Sequence, residues 1–292
     1  MPRITERAVQ VKGLRIATAM SDAPRALLAR VPLVVLPAAN HAWDDYRPIL
    51  ERFASERRVF ALDWPGFGAS GKPSPSTFAY SVQTYAEVLE GWMDALGITR
   101  AVLLGNSIGA GAAIRYAAAH PKRVLGLMLV APAGFTPPGF PRSAAARILG
   151  NPAILRRVVN GFTSLYLGPT SEATVTVMAQ IKARQSLPGC AASLAAYAAL
   201  WRSFETSEAD LTEVALQVSA PAIVVRGAMD PIITAADTRR AAEALGGDGG
   251  KAALEVILPE AGHLPFLQQP ERFFKAVEGL IATAEVNAAS MQ

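Results

Sequence analysis

Apolar residues along this chain gather in short unbroken runs rather than in strict alternation with polar ones. Runs of this kind occupy Leu33–Leu36, Val59–Leu62 and residues 101–104, 127–130 and 222–225, and Leu254–Leu258 is a further strand candidate broken only by Glu255. A strand that is apolar at nearly every position is buried on both faces, which is the signature of a parallel sheet covered by helices. Between the runs, residues 46–55, 81–96, 111–120, 234–245 and 270–284 read as helices. The alternation predicts an α/β architecture with a mostly parallel sheet. Ahead of it, Val9-Gln10-Val11 and Leu14-Arg15-Ile16-Ala17 flank Lys12-Gly13 and predict a short antiparallel hairpin.

The rhythm breaks once, between Ala133 and Ser219. That stretch opens on the Pro/Gly-rich Gly134-Phe135-Thr136-Pro137-Pro138-Gly139-Phe140-Pro141 and continues in Ala-rich, helix-prone sequence such as 191–204. Strand character resumes at Pro221. The expected organisation is a core of residues 1–134 and 216–292, with 135–215 inserted as a helical cap. An insertion leaving the carboxyl end of a strand lies over the crevice where such sheets bind ligands.

Composition narrows the class. With 51% hydrophobic and 18% charged residues over 292 positions, the chain has ample material for a core and is not a disordered protein. The net charge of +4 is spread out, with pairs such as Arg57-Arg58, Arg156-Arg157 and Arg239-Arg240 rather than a basic stripe, so a nucleic-acid partner is not expected. No apolar stretch is long enough to span a bilayer. The first residues, Met1 to Arg7, lack the apolar core of a secretory leader. A lone cysteine, Cys190, cannot form an internal disulfide. A cytoplasmic protein acting on a small molecule is the expectation, and a homodimer is permitted.

Against that background, Gly105-Asn106-Ser107-Ile108-Gly109 stands between a predicted strand and a predicted helix. G-x-S-x-G in that setting is the nucleophile elbow pattern: a sharp turn that exposes the serine oxygen above a helix N-terminus. A serine hydroxyl needs a positioned base and a group to orient that base. The chain has three histidines. His120 closes a helix in Ala119-His120-Pro121 and reads as a surface residue. His41, in the loop after an early strand, could reach the rim of the site. His263 follows the last predicted strand in Gly262-His263-Leu264-Pro265, at the same sheet edge as Ser107, and is the candidate base. Asp230, directly after the 222–225 strand, is the candidate orienting carboxylate; Asp63, after Val59–Leu62, is its rival but sits in the turn-like Asp63-Trp64-Pro65-Gly66-Phe67-Gly68. Ser107, Asp230, His263 is the chain order that accompanies this elbow.

These motifs resemble the α/β-hydrolase fold family, and in particular its capped esterase and carbon–carbon-bond hydrolase branch. Asp63-Trp64-Pro65-Gly66-Phe67-Gly68-Ala69-Ser70 is similar to the family's D-x-P-G-x-G-x-S turn. Gly262-His263-Leu264-Pro265 with Gln269-Pro270-Glu271-Arg272-Phe273 resembles its histidine loop and final helix. The resemblance covers nearly the whole chain. It implies an eight-stranded sheet with helices on both faces, its second strand antiparallel, and a helical cap after strand six. One departure is plain: where the family carries His-Gly after strand three, this chain has Pro37-Ala38-Ala39-Asn40. By alignment the Ala39 N–H then completes the oxyanion hole with the Ile108 N–H, and the Asn40 side chain is an alternative donor.

A serine at the elbow implies an acyl-enzyme route that needs neither metal nor cofactor. The expected activity is hydrolysis of a small, largely apolar carboxylic ester or lactone. Gly105-Asn106-Ser107 also resembles the elbow of meta-cleavage-product hydrolases, in which a cap arginine holds the substrate carboxylate; Arg184 lies at the matching place, while Leu264-Pro265-Phe266 lacks the tryptophan those enzymes carry after the histidine. Carbon–carbon hydrolysis is therefore the alternative. A small-molecule receptor that keeps the three residues is the non-enzymatic one. Asn40, His41 and Arg184 are the candidate substrate contacts.

Overall fold

The computed structural model describes residues 3–22, 24, 27–246 and 253–290. Eight strands form one sheet: β1 (Ile4–Val11), β2 (Leu14–Ser21), β3 (Leu33–Leu36), β4 (Val59–Leu62), β5 (Ala101–Asn106), β6 (Val124–Val130), β7 (Ala222–Gly227) and β8 (Leu254–Leu258). Their order is β1-β2-β4-β3-β5-β6-β7-β8. β2 runs antiparallel to both β1 and β4, and every later pairing is parallel. Lys12 and Gly13 join β1 to β2 with φ of 49° and 81°, the pair of left-handed residues that a two-residue hairpin turn requires.

The unbroken apolar runs are explained by their neighbours. Successive side chains point to opposite faces, so Val34, Leu36, Leu103, Leu127 and Leu129 pack with the helices α2 (Val82–Ala95), α3 (Ile108–Ala119) and α9 (Ala235–Ala244). Leu33, Val35, Val102, Leu104, Met128 and Val130 pack on the other face with α1 (Arg47–Ala54) and α10 (Pro270–Ser290). A strand covered twice has no polar face to show.

Among the described residues between β6 and β7 there is no strand. The segment holds α4 (Phe140–Leu149), α5 (Pro152–Leu167), α6 (Glu172–Gln185), α7 (Cys190–Ser203) and the short α8 (Thr212–Ala215). No helix of the described chain is long and apolar enough to cross a membrane. Because β3 to β8 all run the same way, the segments leaving β3, β5, β7 and β8 emerge at one edge of the sheet. That edge gathers Ala39, Ser107, Asp230 and His263.

Candidate active site

β5 runs into α3 with one residue between them. That residue, Ser107, has φ 55° and ψ −115°, a strained backbone for a side chain with a Cβ. The turn is possible only because its flanks are bare. A Cβ on Gly105 would stand 2.5 Å from the Ala110 Cα, and one on Gly109 would stand 2.2 Å from the Leu36 carbonyl oxygen. Main-chain bonds hold the strained residue in place: the Ser107 N–H donates to the Val130 oxygen at 2.9 Å, and the Ser107 carbonyl accepts from the N–H groups of Gly111 and Ala133 at 3.1 Å. Ile108 opens α3, so its N–H has no partner within the helix.

His263 and Asp230 are both buried, and their side chains meet at 2.6 Å through Nδ1 and Oδ2. The second carboxylate oxygen of Asp230 accepts the N–H groups of Ile232 at 2.8 Å and Ile233 at 3.2 Å. A carboxylate so engaged only accepts, so it fixes the proton on Nδ1 and leaves Nε2 as the basic nitrogen. The His263 main chain is tied as well, its N–H donating to the Tyr166 carbonyl at 2.8 Å. The Tyr166 ring stands edge-on to the imidazole, with centroids 5.5 Å apart.

Ser107, Ile108, Ala39 and His263 border one cavity of about 380 Å³. The inserted helices α4, α5 and α7 supply part of its wall, and the segments leaving the strands supply the rest. Phe162 and Tyr166 lie four residues apart on α5, and Tyr197 and Trp201 four apart on α7. The Phe162 and Trp201 rings meet edge-on at 5.8 Å. These lining aromatics escaped the sequence reading, although their i, i+4 spacing was a signal that two helices present aromatic faces.

The loop after β3 keeps its shape without the His-Gly pair. Trp64 Nε1 donates to the Pro37 oxygen at 2.8 Å, and the Ala38 N–H donates to the Tyr46 hydroxyl at 2.8 Å. The Ala39 N–H is free of any hydrogen bond within the described residues. None of the three residues expected to contact substrate borders the Ser107 cavity. Arg184 lies on a second cavity of about 910 Å³, bound to Asp44 at 2.8 Å and Asp45 at 2.6 Å. Asn40 lines the same second cavity. His41 is buried, its Nδ1 paired with Asp45 at 2.8 Å and its Nε2 with the Tyr166 hydroxyl at 3.0 Å. Two carboxylates already neutralise Arg184, which is why it does not turn toward Ser107. Burial pushes the Tyr166 hydroxyl well above its ordinary range, so it stays protonated.

Asp63, the rival carboxylate, is not paired with His263. It accepts the N–H groups of Trp43 at 2.8 Å and Ala69 at 2.7 Å and staples two loops together. Burial raises its pKa from 3.8 to about 7, against the lowering effect of those two bonds. Between about pH 4 and pH 7 the folded chain therefore holds a proton that the unfolded chain has lost, and stability falls as pH rises through that window. The shift of roughly three units corresponds to about 4 kcal/mol. Urea unfolding of the wild type and of Asp63→Asn from pH 4 to 9 should show the difference between them declining by up to that amount, then levelling above about pH 8. A difference that stays constant with pH would show that Asp63 is ionised throughout.

The strand order, with one antiparallel strand second and the strained serine after β5, defines an α/β-hydrolase fold. Residues 31–270 match the alpha/beta hydrolase fold family, and the chain belongs to that family. Among curated relatives, a 2-hydroxymuconate semialdehyde hydrolase of Pseudomonas sp. (strain CF600) is 39% identical over 97 residues, which are 33% of this chain and only 34% of the relative. A protein of the same description from Pseudomonas putida is 29% identical over 240 residues, covering 80% of each chain. The solved enol-lactonase from Burkholderia xenovorans LB400 superposes with a TM-score of 0.78 at 23% identity, over 94% of this chain and 100% of that one. At that identity the likeness is one of fold.

Proposed function

We propose that this α/β-hydrolase is a serine esterase or lactonase acting on a small, largely apolar substrate beneath a cap formed by residues 135–215. The observation that carries the reading is the buried Asp230–His263 pair, whose histidine borders one aromatic-walled cavity with a serine on a strained elbow. In this reading Ser107 Oγ attacks the substrate carbonyl carbon as His263 Nε2 takes its proton, and Asp230 stabilises the resulting imidazolium. The N–H groups of Ala39 and Ile108 face the oxyanion. His263 returns the proton to the departing alkoxide, and the acyl group remains on Ser107. Water then gives a proton to Nε2 as its oxygen attacks the ester carbonyl, and Nε2 passes that proton to the departing Ser107 Oγ as the acid is released. Nucleophile, base and donors are all the chain's own.

The cavity volume of about 380 Å³ lies at the small end of ligand pockets, which run from ~300 to ~1,000 Å³, and favours short acyl chains. Carbon–carbon hydrolysis is the second reading, favoured by the relatives' descriptions and by Asn106 at the elbow. Arg184 is already paired with Asp44 and Asp45, so in that reading the substrate carboxylate would fall to Arg142, which borders the Ser107 cavity. The test is a panel of p-nitrophenyl esters from acetate to decanoate, a set of simple lactones, and a dienoic ring-cleavage product. The expected result is the highest kcat/KM on a short ester or lactone. Preference for the diene would reverse the order of the two readings, and turnover of none would leave a receptor.

A further inference from the structure

Resting on the hydrolase reading, we infer that Tyr46 is a positioning residue for the oxyanion hole, doing in this chain the holding work of the absent His-Gly. Tyr46 is fully buried just before α1, far in sequence from the elbow. Its hydroxyl accepts the Ala38 N–H at 2.8 Å and donates to the Asn106 side-chain oxygen at 2.6 Å. A phenol has one proton to give, so these two bonds fix its direction. Asn106, also fully buried, is thereby oriented with its amide nitrogen toward the carbonyls of Val130 at 3.1 Å and His263 at 3.3 Å. One hydroxyl therefore links the loop of Ala39, the residue before the nucleophile and the histidine loop.

The linkage acts on a particular peptide unit. The Pro37 oxygen and the Ala38 nitrogen belong to the same peptide, which Trp64 grips at the oxygen and Tyr46 at the N–H. The following unit carries the Ala39 N–H, and its own oxygen, on Ala38, accepts the His41 N–H at 3.3 Å. With the first unit held from outside and the second by the local turn to His41, the Ala39 N–H is aimed before any substrate arrives. Oxyanion donors work because they are fixed in advance and lose nothing to reorientation as charge develops. Loss of such a donor outright costs about 10²–10³ in kcat, so loosening its support should cost less.

Tyr46→Phe deletes only the hydroxyl, and Tyr80→Phe is the matched control, since Tyr80 is buried and its hydroxyl donates to the Pro73 oxygen at 2.7 Å. On p-nitrophenyl butyrate, Tyr46→Phe is expected to lower kcat by roughly 10–100-fold with KM within about threefold. The pH profile should keep its midpoint, because His263 and Asp230 are untouched. Binding of an alkyl boronic acid, whose tetrahedral adduct carries the oxyanion, should weaken by the same factor as kcat. Exchange of the Ala38 amide should quicken. Tyr80→Phe should lower Tm and leave kcat unchanged. Should Tyr46→Phe not fold, Asn106→Ala removes the acceptor on the other side of the hydroxyl and should show the same split between kcat and KM. An active wild type with Tyr46→Phe equally active, or impaired in KM alone, would overturn the inference while sparing the hydrolase reading. A wild type that neither turns over esters nor binds the boronic acid would overturn both.

Discussion

Ser107→Ala is expected to lower kcat on a short p-nitrophenyl ester by about 10⁶-fold, to the background of most assays. That corresponds to about 8 kcal/mol of lost transition-state stabilisation. The expectation follows from the proposed covalent route: without Oγ there is no acyl-enzyme, and the cavity can only bind. The backbone supplies a second, independent readout. Ser107 sits at φ 55°, where any Cβ is strained, so Ser107→Gly should abolish turnover equally while raising stability by about 1 kcal/mol. Steady-state kinetics beside thermal unfolding would check both halves. Strain kept at the one residue whose removal silences the enzyme would mark it as a functional feature. A Ser107→Ala variant retaining a tenth of the activity would place the nucleophile elsewhere.

The second large effect is expected at Asp230→Asn, with kcat falling about 10⁴-fold and the fold intact. The substitution is mild structurally because one side-chain oxygen can still accept the N–H groups of Ile232 and Ile233. The amide nitrogen then faces His263 Nδ1 in place of the carboxylate oxygen now 2.6 Å away. A donor there forces the imidazole proton onto Nε2, the atom that has to receive the serine proton. The imidazolium also loses its counter-charge. Combining Asp230→Asn with Ser107→Ala should cost little more than Ser107→Ala alone, since the two act as one unit. Full additivity of the two losses would argue against a shared step.

Much of the fold was legible as apolar runs, and the differences have physical causes. β1 and β2 extend to Ile4 and Ser21, beyond the predicted hairpin, because exposed Glu6 and Arg7 interrupt the apolar pattern of an edge ribbon. β6 begins at Val124 rather than 127, since Gly126 masks the run; its bare backbone is where Leu280 of α10 packs. α3 starts at Ile108 rather than 111 because the elbow joins strand to helix without a loop. α10 continues six residues past the predicted Ala284, to Ser290. That Ser107, Asp230 and His263 share one sheet edge was legible because each follows a strand whose direction the parallel sheet dictates.

Pairings between distant side chains could not be read that way. Arg184 meets Asp44 and Asp45 from 140 and 139 positions away, and nothing in its local sequence discloses that its charge is already taken. Asn40 and His41 follow β3 directly after Ala39, yet the chain turns at Asn40, φ 63°, and neither borders the Ser107 cavity that Ala39 lines. Tyr46 had no visible role in its own stretch of sequence. Its partners, Ala38 and Asn106, lie on two other segments, and only the folded sheet edge brings them to one hydroxyl.

The most direct measurement of the central claim is covalent labelling of the wild-type chain with a fluorophosphonate, followed by peptide mass spectrometry. The nucleophile displaces fluoride from phosphorus and keeps the phosphonyl group, so the adduct marks the reacting oxygen itself. One phosphonyl group is expected, on Ser107, formed slowly in Asp230→Asn and not at all in Ser107→Ala. No adduct on the wild type, or an adduct that persists undiminished in Ser107→Ala, would contradict the claim.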